Sequence, residues 1–179
     1  MLQSDIPSIF ENDEWSMAIL RAIRSLNLLD WWVGAGFVRN KIWDTLHGWS
    51  RRPPGDIDVI YFNPHIYQKD REYEALLEST FPTGLWSVTN QAHIHTSNGD
   101  PPYSSSIDAI SHWPETATSI AVTLDSSSHV AFHACYGTED LLNMIVRPTP
   151  FIGKDVFYGR IEKKQWFSKW PKARLNLLT

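Results

Sequence analysis

Two acids separated by one residue, Asp56-Ile57-Asp58, stand at the head of the apolar run Val59-Ile60-Tyr61-Phe62. Such a run reads as a buried strand, and a strand sends alternate side chains to one face, so both carboxylates project together. Two carboxylates held that close repel, and one takes up a proton unless a cation lies between them. A divalent Mg2+ or Mn2+ ion suits such oxygen donors, with water and substrate phosphates completing its shell. A plainer reading exists, in which both acids simply end a loop before a strand. Spacing alone does not separate the two.

The glycines upstream sharpen the choice. Gly34 and Gly36 follow the short apolar stretch Trp31-Trp32-Val33 and open a helical pattern carrying Val38, Ile42, Trp43 and Leu46. Glycines between a strand and a helix start leave backbone N–H groups free to approach phosphate oxygens. A dinucleotide fingerprint would need glycine or alanine where Arg39 stands, and no Gly-Lys-Ser or Gly-Lys-Thr phosphate loop occurs. The Rossmann and P-loop readings are therefore excluded.

The elements that must position these groups follow from periodicity. Residues 13–29 repeat Trp15, Ile19, Ala22, Ile23 and Leu26 at helical spacing, with Asn12 or Asp13 as cap. The helix after Gly36 stops near Gly48, and 51–55, Arg-Arg-Pro-Pro-Gly, is a loop. Residues 57–62 form the strand ended by Asn63-Pro64, and 67–80 a helix with Tyr73, Leu76 and Leu77 turned inward. Residues 85–95 read as a strand, 106–111 as a short helix, and 120–124 with 129–134 as a hairpin around Asp125-Ser126-Ser127-Ser128. Residues 139–146 read as helical and 160–174 as a basic closing helix. Strands that alternate with helices early and pair late give an α/β (α+β) fold with a mixed sheet, expected as one domain over 1–179.

Composition bounds the function. The chain has 179 residues, 42% of them hydrophobic, which rules out disorder and suits a single core. Nine Trp supply core or stacking area. No apolar run is long enough to span a bilayer, the acidic start of the chain does not read as a signal peptide, and the lone Cys135 permits no internal disulfide. The expectation is a cytoplasmic protein with no membrane partner. The formal charge is −4, yet residues 160–174 carry Arg160, Lys163, Lys164, Lys169, Lys172 and Arg174 against Glu162 alone. The remaining body is strongly acidic and a poor nonspecific nucleic-acid binder, so nucleic acid is not indicated. The basic stretch reads first as a solvated helix face pinned by Trp166 and Trp170, with a phosphate or acidic partner as the other reading.

Strand, glycine turn, helix, loop and a strand with two acids, in that order, resemble the polymerase-beta-like nucleotidyltransferase superfamily. More narrowly, the chain resembles a bacterial family of uncharacterised nucleotidyltransferase-like proteins. The matching stretches are Gly34-Ala35-Gly36-Phe37-Val38-Arg39-Asn40 with Trp43-Asp44, and Asp56-Ile57-Asp58-Val59-Ile60-Tyr61-Phe62. They continue in Asn90-Gln91-Ala92 with His95, Trp113-Pro114-Glu115-Thr116-Ala117-Thr118 and Arg147-Pro148-Thr149-Pro150. The resemblance implies transfer of a nucleoside monophosphate from an NTP to an unknown acceptor. Asp56 and Asp58 would then hold the catalytic Mg2+ or Mn2+, and Gly34 and Gly36 would cradle the triphosphate. Arg39 and Asn40 would contact phosphate or sugar.

The resemblance also implies a third carboxylate on a neighbouring strand, and Trp86-Ser87-Val88-Thr89-Asn90 has none. Asn90 can ligate a metal through its carbonyl but cannot accept a proton as a carboxylate does. Asp108 is the candidate substitute, beside its ordinary role of charging a helix N-terminus. The alternative function is therefore a catalytically silent domain that binds nucleotide or a protein partner. His93 and His95, read on one strand face, form a weaker zinc pattern.

Overall fold

The computed structural model describes residues 1–50, 52, 55–82 and 85–177. Arg51, Pro53 and Pro54 of the expected loop lie outside the described residues. The chain opens with a 3-10 turn (Gln3–Asp5), α1 (Ile6–Glu11) and α2 (Glu14–Ser25), followed by β1 (Trp32–Gly34) and α3 (Gly36–His47). Next come β2 (Ile57–Tyr61), α4 (Asp70–Thr80), β3 (Trp86–Asn90), α5 (Gln91–Asn98) and α6 (Ser106–Ser111). The hairpin β4 (Ile120–Leu124) and β5 (Val130–Ala134) leads to α7 (Glu139–Leu142), β6 (Ile145–Val146), α8 (Lys154–Lys164), α9 (Trp166–Lys169) and β7 (Arg174–Leu175).

Five strands make one mixed sheet in the order β3-β2-β1-β4-β5. β2 runs antiparallel to β1 and parallel to β3, while β1–β4 and β4–β5 are antiparallel. The β2–β3 parallel pair needs a crossover, and α4 supplies it. Alternation divides the two faces. Ile57, Val59 and Tyr61 enter the main core with Val33, Val38, Ile42 and Trp43, all of them fully buried. Ile60 faces the other way, into a small cluster with Ile110 and Ala121 flanked by Trp32 and Trp113. That thin cover leaves room for a cavity on the second face.

Several local expectations change. Leu76 is 46% exposed whereas Leu77 is buried, because α4 is a surface helix with a narrow apolar stripe. The strand expected over 85–95 ends at Asn90, whose Oδ1 accepts the Ala92 N–H and caps α5. His93 and His95 therefore sit on a helix, where residues two apart diverge. The helix expected over 139–146 shortens to one turn, and Ile145–Val146 pairs in parallel with Arg174–Leu175. The basic stretch 160–174 is not one helix: α8 stops at left-handed Gln165 (φ 52), and α9 restarts at Trp166. The acidic start of the chain is ordered as well, since Ile6 and Phe10 are buried on the core side of α1.

Candidate active site

A cavity of about 790 Å³ opens over the second face, at the end of the sheet where β1 finishes and β2 begins. Such a volume suits a nucleotide-sized ligand. Asp56 and Asp58 both line it, with Asp56 exposed and Asp58 half-buried. Burial, and then the neighbouring charge of Asp56, push the Asp58 carboxyl above its usual range, while Lys164 and Arg39 draw it back. Paired carboxylates that repel in this way are a fitting donor set for a hard divalent cation, with phosphate oxygens supplied by the substrate. No group of three or more His, Cys, Asp or Glu suited to a metal occurs among the described residues.

The turn between β1 and α3 forms the adjoining wall. Ala35 holds a left-handed backbone (φ 49, ψ −119) that favours glycine, so the turn carries strain. The first bond of α3 runs from the Arg39 N–H to the Ala35 carbonyl, 3.0 Å. The amides ahead of it have no acceptor within the helix and sit at its positive end. Gly36 lines the cavity, and a Cβ there would meet only Asn40 Nδ2 at 3.7 Å and Arg39 at 4.0 Å. Gly34 differs: a Cβ on it would lie 2.5 Å from the Trp113 ring and 3.0 Å from the Ile120 carbonyl. Its role in this structure is to let the Trp113 ring approach the turn closely and form a cavity wall.

Arg39 is 7% exposed and lies among three indoles, 5.5 Å from Trp43, 4.9 Å from Trp166 and 5.6 Å from Trp170. Burial pushes its guanidinium down to about 10, opposed by the charge of Glu115. One terminal nitrogen donates to Asn40 Oδ1 at 2.7 Å, and the buried Nε has no partner. A cation stacked on aromatic rings and left with an unused donor is prepared for an anion.

The chain matches the family described as Nucleotidyltransferase over residues 21–175. It belongs to this nucleotidyltransferase family. An NMR structure described as revealing a CCA-adding enzyme head domain shares 34% identity with it, at a TM-score of 0.88, covering 99% of this chain and 97% of that one. A Thermotoga maritima CCA-adding enzyme complexed with tRNA aligns at 16% identity and TM-score 0.57, over 89% of this chain but 38% of its own. A CCA-adding enzyme solved with CTP aligns at 13% and 0.61, over 96% and 43%. These last two share the fold, and the chain spans well under half their length. No match is found among curated proteins.

For a nucleotidyltransferase, the placement of the remaining candidates matters. Asn40 lines the cavity beside Arg39. Asn90 does not: it lies on the core face of β3, buried, where its Nδ2 donates to the carbonyls of Asn63 (2.8 Å) and Ile66 (2.9 Å). Its Oδ1 accepts from the Asn63 and Ala92 amides, so all its polar capacity holds loop to helix. The cavity-facing residues of β3 are Ser87 and Thr89. Asp108 is likewise engaged elsewhere, accepting from the Ser104 N–H at 2.8 Å and its hydroxyl at 3.0 Å on the first turn of α6.

Sequence reasoning missed two parts of the wall. Asp44 in α3 is buried and binds Arg52 through Nε (3.0 Å) and Trp170 through its indole N–H (2.8 Å), with Arg52 stacked between Trp49 and Trp170. This clamp fastens the C-terminal segment against α3. In consequence Arg160, Lys164 and Lys169 line the same cavity as the acid pair, and the two lysines are solvent-exposed there, as a solvated face pinned by Trp166 and Trp170 requires. Buried Glu115 fixes Arg160 by two contacts, 2.7 Å and 3.2 Å. The spacing of Trp166 and Trp170 carried the signal for docking, but nothing in it showed which surface they dock on.

Proposed function

We propose that this chain is a metal-dependent nucleotidyltransferase that moves a nucleoside monophosphate from an NTP to an acceptor, with release of pyrophosphate. The supporting observation is the meeting, in one cavity, of Asp56 and Asp58 with the free start of α3 and the guanidinium of Arg39. Mg2+ or Mn2+ held by Asp56 and Asp58 would neutralise charge on the attacking and leaving oxygens. The amides at the start of α3 receive phosphate oxygens, and the guanidinium of Arg39 orients them. Asn40 fixes Arg39 and is available to the sugar or to a phosphate. The whole chain acts as one unit, since the C-terminal segment supplies part of the site. With no helix of the described residues long and apolar enough to cross a membrane, and with one half-buried thiol, its setting is proposed as cytoplasmic.

A second reading, a silent domain that binds nucleotide or a protein partner, is favoured by one observation: hydroxyls of Ser87 and Thr89 stand where a third carboxylate would complete the site. Radiolabelled NTPs supplied with Mn2+ and a broad acceptor pool distinguish the two. Pyrophosphate release that disappears in Asp56→Ala and Asp58→Ala supports transfer. Metal-dependent NTP binding without turnover across the pool supports the silent domain.

A further inference from the structure

Once the ion pairs are cancelled, unpaired charge of both signs remains inside the cavity. Arg52 is neutralised by Asp44 and Arg160 by Glu115. Asp56 and Asp58 remain, together with Arg39, Lys164 and Lys169. Among the described residues, neither lysine has a hydrogen-bond or ion-pair partner for its ammonium group. Lys164 lines the same cavity as Asp58. It ends α8, one residue before the left-handed Gln165, and Trp166 then plugs beneath Arg39. The backbone that carries Lys164 is thereby fixed at both sides, by Arg160 held on Glu115 and by the buried Trp166.

We infer that Lys164, with Lys169 behind it, is the clamp for the β- and γ-phosphates of the NTP, so that the C-terminal segment selects triphosphate over monophosphate. This rests on the nucleotide reading above and adds a residue and a selectivity to it. A divalent ion offsets the two aspartates, and the four negative charges of a triphosphate then meet three cations. A monophosphate reaches only the start of α3 and Arg39. A lysine is suited to this place because it binds phosphate as a mobile point charge that needs no fixed fork. The arrangement also gives two residues of the basic segment, Lys164 and Lys169, a place in the cavity that pyrophosphate must leave.

The test is calorimetric titration of the full chain with an NTP and with the matching NMP, each with Mn2+. Lys164→Ala is compared with Lys163→Ala, whose lysine lies on the same turn but does not line the cavity. The expected result is NTP affinity about tenfold or more weaker in K164A, as for loss of a charge-assisted phosphate contact, with NMP affinity within a factor of two of wild type. K163A should match wild type for both ligands. Equal NTP affinity in K164A and wild type, or equal losses for NTP and NMP, overturns the clamp while leaving the nucleotide site standing. Absence of NTP binding in wild type itself overturns both.

Discussion

Asp58 on β2 and Ser87 on β3 are direct partners in the parallel ladder, so a hydroxyl stands beside the half-buried acid on the cavity face. This pairing defines where a third carboxylate would have to be. Ser87→Asp should place one there, and Mn2+ affinity measured by calorimetry should rise about tenfold or more. Asn90→Asp, on the opposite face, should leave Mn2+ affinity unchanged and lower stability by about 1–3 kcal/mol, because a carboxylate cannot donate to the Asn63 and Ile66 carbonyls as Nδ2 does. Equal metal affinity in S87D and wild type would show that Asp58 and Ser87 do not share a metal-facing surface.

The raised pKa of Asp58 gives a stability signature. Between the ordinary aspartate value and the raised folded one, this carboxyl is more protonated in the folded state than in the unfolded chain. Its contribution is therefore most favourable below the ordinary aspartate range and is lost as pH rises through the raised folded value. Without metal, Asp58→Asn should melt higher than wild type near neutral pH, and the gap should close toward about pH 4. Thermal melts in chelator across this range check it. A variant that melts lower at neutral pH would refute the sign.

The strand-to-helix turn separates three neighbouring residues. Gly34→Ala forces a methyl into the Trp113 ring and should destabilise by about 1–3 kcal/mol. Gly36→Ala has space and should fold normally. Ala35→Gly relieves a left-handed alanine and should stabilise by about 1 kcal/mol. Denaturant melts of all three should fall in that order of stability, G34A lowest and A35G highest.

Arg39 is a buried cation with an unpaired Nε, which is an arrangement for binding and a poor one for stability. Arg39→Met keeps apolar contact with the three indoles. It should melt no lower than wild type while NTP affinity falls at least about tenfold. A large loss of stability with affinity retained would assign Arg39 to the core instead.

The order strand, glycine turn, helix and acid-bearing strand was legible because each piece has a local signature: apolar alternation, paired glycines, helical spacing. Asn90 was not. The strand pattern continued through His95, and only a side-chain cap ends it, a device with no periodicity. Asp108 shows the same limit from another side, since an acid on the first turn of a helix looks alike whether it faces a ligand or its own backbone. The largest omission was spatial. Lys164 and Asp58 lie 106 positions apart, and long-range contacts, the clamp of Asp44, Arg52 and Trp170 and the Arg160–Glu115 pair, bring their walls together.

Metal-dependent nucleotide binding at Asp56 and Asp58 is tested by measuring NTP binding with and without Mn2+, in wild type and in the double variant Asp56→Ala with Asp58→Ala. Wild type should bind NTP in the micromolar range or tighter only when the metal is present, and a double variant that still folds should not bind it. Metal-independent NTP binding of equal strength in both proteins would contradict this role of the acid pair.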